Sequence, residues 1–145
     1  MSDVKRDIGA KQKFIFYVAQ DVDQSIRDDV KKLVSLLANA REWSIAPPEF
    51  IDEVDEDCSN SIVGGAIEVY SAQPPSVVSY TADLLNLQEV ETLIGAVKDL
   101  SKIRDIDFDF QLGPEYVGSI ESGVIDQVLE CGLILPWREA LQRKV

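Results

Sequence analysis

The sequence predicts an α+β fold, a mixed sheet packed with helices, and three observations point to it. Short runs rich in Ile, Val, Phe and Tyr are separated by longer stretches whose apolar residues recur at helical spacing. The order strand, helix, hairpin-like segment occurs twice along the chain, a grammar that places helices on a sheet. The composition, 46% hydrophobic and 28% charged with 8 Gly and 6 Pro in 145 residues, is that of a folded chain and not of a disordered acidic tail. A chain of this length buries roughly two thirds of its unfolded surface in one core. A loose polar lead-in over 1–12 and one domain over 13–145 are therefore expected.

Phe14-Ile-Phe-Tyr-Val-Ala19 reads as a strand, apolar on both faces and so central in its sheet. Asp21 with Gln24 resembles a capping box, and Ile26, Val30, Leu33, Val34 and Leu37 fall on one stripe of the helix that follows. The stretch Ile45 to Val54 is hairpin-like. Ile62 to Tyr70 is ambiguous: its β-branched content favours a strand, whereas the repeated order of elements and Ser61 as an N-cap favour a helix, and the reading adopted is helix.

The second half repeats this order. Val77 to Asp83 is strand-like, Asn86 with Glu89 caps a helix, and Val90, Leu93, Ile94, Val97 and Leu100 form its stripe. Strict alternation makes Asp105-Ile-Asp107-Phe-Asp109-Phe110 a strand with Ile106, Phe108, Phe110 and Leu112 inward and Asp105, Asp107 and Asp109 outward. Gln111 to Ile120 is a second hairpin, and its Pro114-Glu115-Tyr116-Val117 matches Pro48-Glu49-Phe50-Ile51. Ser122 caps a last helix bearing Val124, Ile125, Val128 and Leu129, which Gly132 ends and Pro136 restarts. Two copies of a strand-helix-hairpin-helix unit, over 13–72 and 76–135, are the resulting expectation.

Charge is distributed unevenly. The net charge is −12, yet residues 14–137 hold 23 acids against 7 bases, because half of the bases lie at the two ends. From Glu42 to Val97 there is no Lys, Arg or His in 56 residues, which carry eleven carboxylates. Six of those fall within Glu49 to Asp57. Such a field repels nucleic acid and anionic membranes and attracts cationic proteins. The run admits three readings: a solvated loop, a weak divalent-cation site, or a contact surface pinned by Phe50, Ile51 and Val54 that displays Asp52, Glu53, Asp55, Glu56 and Asp57. The outward row Asp105, Asp107 and Asp109 is a second candidate contact face, since like charges in a row cost stability unless a cation answers them.

Several chemistries find no support. The chain has no His, which removes the commonest general base and zinc ligand. Cys58 and Cys131 have no CxxC partner, and Gly64-Gly65 lacks the context of a phosphate-binding loop. A calcium loop starting at Asp105 fails at its sixth and twelfth positions, where Phe110 and Tyr116 replace Gly and Glu. Neither a metal nor a cofactor is expected. No charged-then-apolar leader and no apolar stretch near 18 residues occurs, which predicts a cytoplasmic protein.

Tyr116-Val117-Gly118-Ser-Ile120 through Gly132-Leu133-Ile-Leu-Pro-Trp137 resembles the terminal pattern of small acidic bacterial immunity-type proteins of polymorphic or contact-dependent toxin systems. The resemblance implies a non-enzymatic inhibitor that occludes the basic active site of a toxin, for example a nuclease. An aromatic anchor for such a contact would come from Phe50, Tyr116 or Trp43. The alternatives are a homo-oligomeric scaffold module, a homodimer being its simplest form, then a small-ligand binder or a carboxylate-based enzyme.

Overall fold

The structure, a computed structural model, describes residues 11–55, 60–70 and 80–144. Six strands form one sheet in the order β2-β3-β1-β4-β5-β6. They are β1 (Lys11–Val18), β2 (Glu49–Asp55), β3 (Asn60–Tyr70), β4 (Phe108–Leu112), β5 (Glu115–Glu121) and β6 (Val124–Ile125). The helices are α1 (Gln24–Ala40), α2 (Tyr80–Arg104) and a C-terminal helix, α3, which is α-helical over Gln127–Leu129, π-helical over Glu130–Ile134 and α-helical again over Leu135–Lys144. The class is α+β as expected, but every strand pair is antiparallel, so the sheet is not mixed.

The sheet is built around β1, which the sequence marks as central and which pairs with β3 on one side and β4 on the other. It begins at Lys11, inside the expected lead-in. Alternation sends Phe14, Phe16 and Val18 to one face, where Phe108 and Phe110 of β4 meet them. Phe14 stacks on Phe110 at 5.6 Å, and Phe16 meets Phe108 edge-on at 5.8 Å. These are diagonal cross-strand contacts, the spacing at which aromatic side chains on adjacent strands still reach each other. Against this face pack Val30, Val34 and Leu37 of α1, Val90, Leu93, Ile94 and Val97 of α2, and Leu129, Leu133 and Ile134 of α3.

The helix starts differ from the expected ones. Asp23, rather than Asp21, caps α1 by accepting from the Ile26 amide at 2.8 Å. The helix α2 begins at Tyr80, so Tyr80 to Asp83 form its first turn and Asn86 and Glu89 lie buried in its interior. The rest of the strand expected over Val77 to Asp83 lies outside the described residues. Ser122 has φ 49° in the turn between β5 and β6, Val124 and Ile125 form β6, and Asp126 is the cap, accepting from the Leu129 amide at 2.9 Å. Gly132 does not end the last helix; it sits in the π-helical turn that joins its two α-helical parts.

Ile62 to Tyr70 is strand, not helix. Gly64 and Gly65 explain why a glycine pair belongs there. A Cβ on Gly64 would stand 1.9 Å from the Phe16 carbonyl oxygen, and one on Gly65 would meet the Phe16 ring at 2.7 Å. The glycines let β3 lie close against β1.

The expected repeat is not found among the described residues. The first half runs β1-α1-β2-β3, with the hairpin formed by β2 and β3; the second runs α2-β4-β5-β6-α3, with a hairpin at β4 and β5. Ser61 to Ile67 is strand whereas its proposed counterpart, Ser122 to Val128, is a turn, a two-residue strand and a helix start.

Candidate protein-docking face

Among the described residues the three helices all pack on one side of the sheet, and the other side is made of strand residues alone. Cross-strand partners share a face, so the register identifies its members. Lys13 lies opposite Glu68, Ile15 opposite Ala66 and Gln111, Tyr17 opposite Gly64 and Asp109, and on the outer strands Glu49 lies opposite Ala66, Ile51 opposite Gly64, and Glu53 opposite Ile62. Asp109 in turn lies opposite Ser119. Lys13, Ile15 and Tyr17 of β1, residues 49–53 of β2, Ile62 of β3 and Gln111 of β4 line a shallow concavity of about 810 Å³.

Its centre is apolar. Ile15, Tyr17, Ile51 and Ile62 converge there, and Ile62 retains 42% of its surface. Toward β5, Tyr116 is 53% exposed on the same face. Isolated exposed apolar residues are ordinary, whereas a contiguous set bordered by charge is a candidate contact surface.

Charge surrounds this centre. Among the described side chains, Glu49, Glu53, Glu68, Asp109 and Glu121 stand on the face against Lys11 and Lys13, so five carboxylates face two ammonium groups, an excess of three negative charges. Lys13 Nζ bonds Glu49 Oε1 at 2.8 Å. That hydrogen bond, then the Glu49 charge, and more weakly Glu68 and Glu53, push the Lys13 ammonium above its usual range. Each glutamate stabilises the same cation.

The acidic residues singled out from sequence separate in space. Asp52 lies opposite Val63 and turns toward the helix layer, where Arg27 Nε of α1 reaches its two oxygens at 3.2 and 3.1 Å. Glu53 is on the open face. Asp55 ends β2 opposite Asn60, and Glu56 and Asp57 lie outside the described residues. Within β2 the run is therefore divided, Glu49 and Glu53 on the open face and Asp52 on the helix side, because a strand sends successive side chains to opposite faces. Among the described strands β2 is at the edge of the sheet, where charged side chains disfavour further strand addition.

The outward aspartate row is corrected in the same way. β4 begins only at Phe108, so of the three aspartates Asp109 alone is in the strand. Asp105 is the residue after α2, with φ 54°, and its Oδ1 accepts from the Ser122 hydroxyl at 2.8 Å. Asp107 lies between, its amide held by Gln20 Oε1 at 2.8 Å. The apolar half of the expectation stands: Ile106, Phe108 and Phe110 are buried.

Of the three aromatic residues considered as anchors, Phe50 lies opposite Gly65 and packs against the core. Trp43 packs there too, with its Nε1 donating to the Leu37 carbonyl at 3.1 Å and Arg41 lying over its ring at 5.3 Å. Tyr116 is the one on the open face.

No family model, curated protein or solved structure matches the chain. Tyr17, Ile15 and Ile62 were missed as surface residues in the sequence because β1 and β3 are apolar on both faces, the same signal that a strand buried on both sides gives. Among the described residues no helix is long and apolar enough to cross a membrane. Among them also, no three acidic or Cys side chains are grouped as a metal site.

Proposed function

We propose that this protein is a non-enzymatic binding protein whose helix-free sheet face receives a basic partner protein. The observation that carries the reading is that face itself, an apolar centre of Ile15, Tyr17, Ile51 and Ile62 bordered by an excess of three carboxylates. Apolar burial supplies affinity to such an interface, while complementary charge steers encounter and excludes partners of like sign. Two copies of the same face would bring Glu53 and Asp109 toward their own kind. A cationic protein meets no such opposition. An immunity-type inhibitor, occluding the basic substrate groove of a toxin such as a nuclease, is the most specific form of this reading, and the net charge of −12 suits it.

The test is to isolate the partner at low salt, identify it, and map the 1:1 complex by hydrogen exchange. A basic partner that protects β1, β2 and β3, dissociates as salt rises, and is lost with Ile62→Arg but retained with the helix-side Lys31→Gln supports the reading. Protection confined to the helices, or a salt-insensitive homodimer that buries the open face, would overturn it.

A further inference from the structure

We propose that Asp109, Tyr17 and Tyr116 form an arginine-recognition subsite at the β4 side of the open face, taking one guanidinium of the basic partner. This deepens the docking reading and rests on it for the identity of the physiological ligand.

The register sets the geometry. Tyr17 of β1, Asp109 of β4 and Ser119 of β5 occupy one row across three adjacent strands, on the face no helix covers. Tyr116 lies opposite Gln111, two residues along from that row, but its hydroxyl reaches back to Ser119 Oγ at 2.5 Å. The strands carrying the two tyrosines are separated only by β4, which puts their axes about 9–10 Å apart. A planar cation lying over Asp109 thus has β1 and β5 as its immediate neighbours, each one strand spacing of about 5 Å away.

The hydrogen bonds have a direction. Ser119 Oγ donates its one proton to Asp109 Oδ1 at 2.6 Å, so it accepts from Tyr116, and the phenol is the donor. The chain runs from Tyr116 through Ser119 to the carboxylate, and each donor polarises the next. It fixes the Tyr116 ring and the Asp109 carboxylate before a ligand arrives. Among the described residues Asp109 Oδ2 receives no hydrogen bond or ion pair, and none of their bases answers the charge. A half-buried carboxylate that no described base neutralises, beside two phenol side chains, is completed by a cation brought from outside. Burial raises the Tyr17 phenol, and the Asp109 and Tyr116 charges raise it further, which agrees with the three groups sensing one another.

Arginine fits better than lysine. Its guanidinium is flat, weakly hydrated and stacks on aromatic faces, whereas an ammonium is a compact and strongly hydrated point charge. With Oδ1 engaged by Ser119, the carboxylate offers one oxygen and the rings supply the remaining contact.

The experiment uses the full chain with ring-labelled tyrosine, titrated at low salt with N-acetyl-arginine amide, N-acetyl-lysine amide or N-acetyl-glycine amide and read by NMR. The arginine compound should shift the Tyr17 and Tyr116 ring signals saturably and more tightly than the lysine compound, and the glycine compound should not. Asp109→Asn keeps an oxygen for Ser119 and should weaken arginine binding about fivefold. Tyr17→Leu removes one ring without touching the Tyr116 relay and should weaken it too. Absence of a saturable shift, equal affinity for lysine, or variants that bind as well as the parent would overturn the subsite. The partner footprint of the docking test is scored separately: a partner that covers β1, β2 and β3 while arginine amide fails to bind removes the subsite and leaves the docking face.

Discussion

The buried Glu89 carboxylate of α2 accepts both the amide and the hydroxyl of Ser44, at 2.7 and 2.9 Å. Arg41 stands 3.5 Å from the same carboxylate. Residues 41–48 connect α1 to the edge strand β2, so a single interior side chain ties the start of the open face to the helix layer.

Removing that carboxylate should therefore loosen more than α2. Glu89→Ala leaves the Ser44 amide without its acceptor and a void in the interior, a loss of about 2–4 kcal/mol. Glu89→Gln keeps the shape and one acceptor and should cost about 1–2 kcal/mol. Denaturant unfolding measures both, and equal losses for the two variants would show that the one acceptor kept by glutamine contributes nothing.

The same substitution should have opposite signs at two glycines. Gly64→Ala drives a Cβ into the Phe16 carbonyl at 1.9 Å, which β1 can relieve only by moving, and should cost about 3 kcal/mol or more. Gly95 lies within α2 with nothing inside 4 Å of its added Cβ, so Gly95→Ala should stabilise by about 0.5–1 kcal/mol. Thermal unfolding of the pair separates backbone contact from helix propensity.

The helix stripes and the alternation of Phe108 and Phe110 were legible because burial on one face imposes a period, and the core of both halves follows it. The sides of the acidic run were not. A cluster of acids looks contiguous in the sequence, but the strand sends Asp52 to Arg27 and Glu53 to the open face. Ile62 to Tyr70 was assigned to helix because an apparent repeat outweighed its β-branched content; the glycine pair, whose role is contact with β1, was the better signal. Asn86 and Glu89 imitate a capping box because the spacing of three that serves a cap also places two polar groups on one interior helix face. The open face itself depends on what packs where, and a strand apolar on both sides carries no mark of which side is left bare.

The attachment of α3 offers a further test. Trp137 Nε1 donates to the buried Asp83 Oδ1 at 2.7 Å, joining α3 to the first turn of α2. Trp137→Phe keeps most of the ring contact and removes the donor, so the loss should be about 1.5–3 kcal/mol, the range for a hydrogen bond to a charged group. Amide exchange should quicken in α3 ahead of β1. Uniform quickening in both would indicate that α3 is not a separately opening element.

Titration of Tyr17 tests the electrostatics of the open face without a ligand. Burial first, then the charges of Asp109 and Tyr116, hold its phenol above the ordinary value of 10.0. The proton is thus bound more tightly in the folded chain than in the unfolded one. The corresponding stability is fully present below pH 10.0 and is lost as pH rises through the folded Tyr17 value. Asp109→Asn removes one of the charges, so the Tyr17 titration, followed by phenolate absorbance against a Tyr17→Phe reference, should move down toward the ordinary value. The alkaline loss of stability should become smaller with it. A Tyr17 titration that ignores Asp109 would mean that water screens the two groups from each other, and that a cation placed over Asp109 would gain little from the phenol beside it.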